Sequence, residues 1–210
     1  MLDLAAHLGV RTGESSPGAE ASQGANVPFE EWAWAFCRFE RAVAVRAALT
    51  AARVALPSWE GYSPTDKLDG EVIGGPALRE ALNAVEAGLS GSEGGAAKLA
   101  AAAEEVRSLA ARVVAYVDEA SGNKHVVARR TAAVNAALSS LAAVETAVWD
   151  EAAITTAIQD EHDAAEVEEQ RAAGPALHVV RALSYSCAAT GMTADELRGE
   201  LRRAFFEGSS

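Results

Sequence analysis

The stretch QDEHDAAEVEE, Gln159 to Glu169, holds the residues whose types and spacing come nearest to catalytic or metal chemistry. His162 and Glu166 stand four apart, so on a helix they share one face, a spacing that can serve a divalent metal. A carboxylate-bridged di-iron bundle needs more, namely an acid three residues before the histidine, repeated on a second helix. Gln159 occupies that position and the chain holds no second copy. A ferritin-like metalloenzyme is therefore the third-ranked class, and no metal is expected. SGSEGGAAKL, Ser90 to Leu99, has the glycines of a phosphate loop but lacks a Gly-Lys followed by Ser or Thr, and lacks the strand that presents it. A GxSxG elbow, a paired-CxxC cluster and a zinc-protease helix are missing from the sequence too. The expectation is a non-enzymatic chain without a cofactor. His178, within ALHVVRAL, reads as a core or boundary histidine; His125 follows a turn, and His7 lies in the N-terminal tail. Cys37 and Cys187 are far apart and flanked by apolar residues, the pattern of buried reduced thiols.

What the same stretch offers is charge. From Glu145 to Glu169 there are nine acidic residues and no Lys or Arg. Like charges four apart on a helix cost about a few tenths of a kcal/mol each, so the block weakens its own helix. It is either a solvated face or a docking surface for a basic protein, because clustered acids accelerate association with a positive partner. Asp160, Glu161, Asp163, Glu166 and Glu169 are the residues expected to be most exposed and to make that contact. The formal net charge of −12 disfavours nucleic acid and anionic membrane as partners, since both repel it.

The elements that must position these residues are helices. Half of the 210 residues are apolar and only 6 % aromatic, so alanine supplies much of the core and helix backbones must approach closely. Residues 1–27 read as a flexible segment, because Gly13 to Asn26 contain nothing large to bury. Residues 28–210 read as one helical domain, a size that can bury a real core. A first helix is expected from Pro28 to Leu56, with Trp32, Phe36, Phe39, Val43, Ala47, Thr50 and Val54 on one face. A second runs from Pro76 to Leu89 with a stripe of Leu78, Leu82, Val85 and Leu89, and a third from Gly95 to Ala120. Lys124 to Ala173 contains no Pro or Gly and is expected to break near Glu151 to Thr156. Gly174 and Pro175 then punctuate before a helix from Ala176 to Thr190, and Thr193 to Glu196 is a capping box for a last helix to Phe206. Val and Ile occur singly in helical register, so no strand is expected. The product is an all-α antiparallel bundle or helical-repeat-like array of six to seven helices. No run of 18 uncharged apolar residues occurs and the N-terminus lacks the basic region of a signal peptide, so no membrane span is expected and the place is the cytoplasm.

LPSWEGYSPTD, Leu56 to Asp66, interrupts this regularity with Trp59, Tyr62 and two prolines. Its rings either plug gaps that alanine leaves open or form an exposed anchor for a partner. Pro57-Ser58-Trp59-Glu60-Gly61-Tyr62-Ser63-Pro64-Thr65-Asp66, followed by the helix Ala77 to Ala87, resembles a segment of the helical, alanine-rich immunity proteins of bacterial polymorphic toxin systems. In that family a Pro-x-Trp-Glu-x-Tyr-x-Pro-x-Asp loop leads into a helix rich in Ala and Glu. The likeness covers about thirty residues. It implies a cytoplasmic antitoxin that binds a cognate toxin directly and blocks it without catalysis. The alternative is a helical scaffold that self-associates through an apolar face, so the chain is expected as a monomer or a homodimer.

Overall fold

Alanines let helix axes come close, and the chain uses them at its centre. The structure is a computed structural model that describes residues 3–9, 27–61, 67–68, 71–72, 75–91, 94–118, 124–149 and 164–207. In chain order the helices are α1 (Leu4–His7), α2 (Phe29–Trp34), α3 (Arg41–Glu60), α4 (Ala77–Leu89), α5 (Gly95–Asp118), α6 (Lys124–Val148), α7 (Ala164–Thr190) and α8 (Ala194–Arg202). A 3₁₀ turn, Ala35–Arg38, follows α2 and a π turn, Arg203–Glu207, follows α8. The all-α bundle expected from the periodicity is what the chain forms, with α1 as a short addition to the expected set and α2 as the first part of a helix expected to be continuous.

Helices α3, α6 and α7 form the middle of the bundle. Six α3 alanines, Ala44, Ala47, Ala48, Ala51, Ala52 and Ala55, are no more than 5 % exposed, which requires neighbours on more than one side. At this close range hydroxyls reach across to backbone. Ser139 of α6 donates to the Ala182 carbonyl of α7 at 2.8 Å, Ser186 of α7 to the Ala51 carbonyl of α3 at 2.8 Å, and Ser58 of α3 to the Ala189 carbonyl at 3.0 Å. The three bonds tie the central helices together and satisfy hydroxyls that burial would otherwise penalise. Two apolar clusters flank α3. One joins α3 to α4, α5 and α6 through Trp59, Leu78, Leu82, Val85, Val106 and Val144. The other joins it to α1, α2, α7 and α8 through Leu8, Trp32, Phe36, Leu183, Leu197 and Leu201.

Several boundaries differ from the sequence pattern, each for a local reason. The expected first helix is two: Phe39 adopts an extended conformation (φ −91°, ψ 172°), and α3 restarts after Glu40. The break lets Phe36 and Phe39 both meet the His7 ring, at 4.8 and 5.4 Å between centroids. Pro57 does not stop α3, which runs on for one more turn to Glu60. Helix α7 likewise passes through Gly174 and Pro175. Gly174 is there for close approach, since a Cβ on it would lie 1.8 Å from the Trp149 ring. Within the segment 1–27 marked as flexible by composition, residues 3–9 are docked: Leu8 is 1 % exposed. Residues 10–26 lie outside the described ones, as does the expected break between Glu151 and Thr156. A two-residue antiparallel ladder, Lys67 with Val72 and Leu68 with Glu71, interrupts the expectation of no strand without changing the class. The capping box forms as read: Thr193 N–H donates to Glu196 Oε2 at 2.7 Å and Glu196 N–H to Thr193 Oγ1 at 3.3 Å.

Among the described residues, α6 alone has the length and hydropathy of a membrane span, and 56 % of the qualifying window is buried inside the bundle. Its apolarity is that of a helix packed against α3, α5 and α7.

Candidate functional site

The Trp-Tyr loop resolves first. Trp59 lies in the last turn of α3, 1 % exposed, and its indole N–H donates to the Gly75 carbonyl at 2.9 Å. It therefore clamps the start of the interruption to its end, just before α4. Its ring is thus packed in the core and not displayed at the surface. Tyr62 lies outside the described residues. The same junction is reinforced outside by an ion pair between Arg79 of α4 and Glu60.

Of the acidic block, Glu145 is engaged within the fold. Its carboxylate accepts from Arg107 of α5 at 2.6 Å with only 20 % of its side chain exposed, so it binds α5 to α6. Asp160, Glu161 and Asp163 lie outside the described residues, as does His162. Glu166 and Glu169 belong to the first turns of α7, three residues apart, with side chains outside the description. At the same end of the bundle Trp149 follows α6 and meets His178 of α7 at 5.8 Å between centroids. Burial pushes the His178 pKa below its ordinary value, ahead of the nearby charges, as befits a boundary histidine held neutral.

Two features escaped sequence reasoning. The first is an aromatic box around His7. The imidazole stacks on Trp32 (5.5 Å, 12° between planes) and meets Phe36 edge-on, while Arg198 of α8 lies 4.8 Å from the Trp32 ring centroid. Trp32 Nε1–H donates to the His7 carbonyl at 3.2 Å and Arg202 Nε–H to the Leu8 carbonyl at 3.0 Å. Burial first, and Arg198 second, lower the His7 pKa. Nothing in the sequence around His7 signals this, because every partner is at least 25 residues away.

The second feature is a cleft of about 420 Å³ between α3 and the C-terminal end of α4, closed at one end by Ala204. Arg46 and Arg53 stand seven apart on α3 and line one wall; Glu86 and Leu89 line the other. Arg53 holds Glu86 through both guanidinium nitrogens, at 2.5 and 3.4 Å, and this bond keeps the Glu86 pKa below the usual carboxylate range. Arg46 donates to the Ala204 carbonyl at 3.0 Å and lies 5.2 Å from the Phe205 ring centroid. Leu89, expected in the core stripe, is 41 % exposed, unlike Leu78 and Leu82 of the same stripe. An exposed leucine at the end of an otherwise buried stripe is a signal only once the neighbouring helix is in place.

No protein-family model, curated protein or solved structure matches the chain.

Proposed function

We propose that the chain is a non-catalytic binding protein, an immunity-type antitoxin that acts in the bacterial cytoplasm by binding a cognate toxin directly. The observation that carries the reading is the acidic block: nine acids and no Lys or Arg between Glu145 and Glu169, on a chain of net charge −12. A basic toxin domain, a nuclease for example, is the partner such a surface attracts fastest. Glu145 is spent on Arg107, so the contact falls to the acids that follow it, with Asp160, Glu161, Asp163, Glu166 and Glu169 at its centre. The resemblance of the Leu56 to Asp66 segment to that of helical immunity proteins adds to it.

The test is co-expression with the secreted effector encoded beside the gene. Restored growth and a complex recovered at low salt are the expected results. Unrelieved toxicity, with no complex at low salt, removes the proposal.

A further inference from the structure

The cleft between α3 and α4 has the size of sites that hold small organic ligands, and its lining is mixed, with Arg46, Thr50, Arg53, Glu86 and Ser90 beside Leu49 and Leu89. Its aliphatic side is made by Leu49, 5 % exposed, and Leu89, 41 % exposed. Its polar side includes two guanidiniums, and one of them, Arg53, already holds a carboxylate. Glu86 is a carboxylate gripped bidentately by Arg53 and further stabilised by the charge of Arg46. Arg46 is itself oriented by the Ala204 carbonyl and the Phe205 ring. A carbonyl is a neutral acceptor, so that bond leaves the positive charge of Arg46 uncompensated. The Arg53–Glu86 pair is well exposed, 40 % and 56 % by side chain, and an exposed pair contributes about 0–1 kcal/mol. An incoming carboxylate can replace Glu86 at small cost.

We propose that this cleft binds an amphiphilic organic anion, an aliphatic chain or ring ending in a carboxylate, with its head group on Arg46 and Arg53 and its apolar part on Leu49 and Leu89. Glu86 is then a built-in competitor for the head group. The planar guanidinium fork, already filled by a carboxylate, selects that group. The site stands independently of the antitoxin reading, since it uses neither the acidic block nor a protein partner.

Calorimetric titration of the full chain with octanoate, and with octylammonium as the cationic counterpart, tests the proposal. Octanoate is expected to bind saturably, and octylammonium at least tenfold more weakly. Arg46→Gln should weaken octanoate about tenfold or more, the loss of a charge-assisted bond. Glu86→Gln should tighten it by about three- to fivefold, because the competitor is gone. A gain of affinity cannot come from misfolding, so the second variant protects the first from that ambiguity. Equal binding of octanoate and octylammonium, or octanoate affinity unchanged or reduced in Glu86→Gln, overturns the proposal.

Discussion

Two residues in this chain are chosen for what a side chain would do to a neighbour. Gly174 lies inside α7 where a Cβ would enter the Trp149 ring. Alanine has the better helix propensity by about 1 kcal/mol, but the ring has to leave its place, and overpacking of this kind costs about 1–3 kcal/mol. Gly174→Ala is therefore expected to lower the denaturation midpoint in urea and to change Trp149 emission. With Trp149→Ala as background the sign should invert, because the space is then open and propensity decides. Trp59 makes the complementary case. Trp59→Phe keeps a ring in the core but leaves the Gly75 carbonyl without its donor, and a loss of about 1–3 kcal/mol is expected in the same assay. Burial of the Trp59 ring was one of two placements open in the sequence. The need for glycine at 174 was hidden, because Gly-Pro is also how a helix ends, and only the distant Trp149 decides between the two.

Helices with a clear apolar period were legible as elements: α4, α5 and α8 begin within a residue or two of where pattern and caps place them. Where tertiary contacts compete with local signals, boundaries moved. Phe39 breaks the first helix to reach His7, and α1 forms in a segment whose composition argues for flexibility. Docking of α1 is finely balanced, since ordering each backbone residue costs roughly 1–2 kcal/mol against one buried leucine and two cross-chain hydrogen bonds. That balance gives a pH dependence with a definite sign. The charged groups around His7 are Asp3, which caps α1 through the Ala5 amide, and Arg198 and Arg202 of α8. Burial and then Arg198 place the docked His7 pKa below its ordinary value, and among the described residues its buried Nε2 has no hydrogen-bond partner. The released segment therefore binds more protons than the docked one. The docking stability from this group is complete above the ordinary histidine pKa and is lost as pH falls through and below it. Amide hydrogen-exchange protection of residues 4–8, corrected for intrinsic rates, should fall between pH 8 and 5. His7→Phe, which keeps the aromatic packing and cannot titrate, should leave protection level across that range.

At the scale of the molecule the sequence speaks through charge, and here it both reveals and misleads. The net charge of −12 is legible at once, yet it conceals a local wall of Arg46 and Arg53 on α3. Helical period alone sets arginines on a solvated side without showing that α4 and Ala204 close a cleft around them. Conversely, the acidic block reads as one surface, although Glu145 is paired to Arg107 of α5. The part left to steer a partner is the remainder, and its effect is separable from short-range contact. Replacing Asp160, Glu161, Asp163, Glu166 and Glu169 with Asn or Gln takes the formal charge from −12 to −7. Long-range attraction acts on the encounter, and ions screen it within about 8 Å at physiological salt. Stopped-flow association with the basic partner should therefore slow by about tenfold at low ionic strength, where steering is strongest. The dissociation rate should change far less, and the slope of log association rate against ionic strength should flatten toward zero. At high salt the variant and the parent chain should converge, because steering is lost from both. If the rates stay equal at low salt as well, the acids only keep the chain in solution and the contact surface lies elsewhere on the bundle.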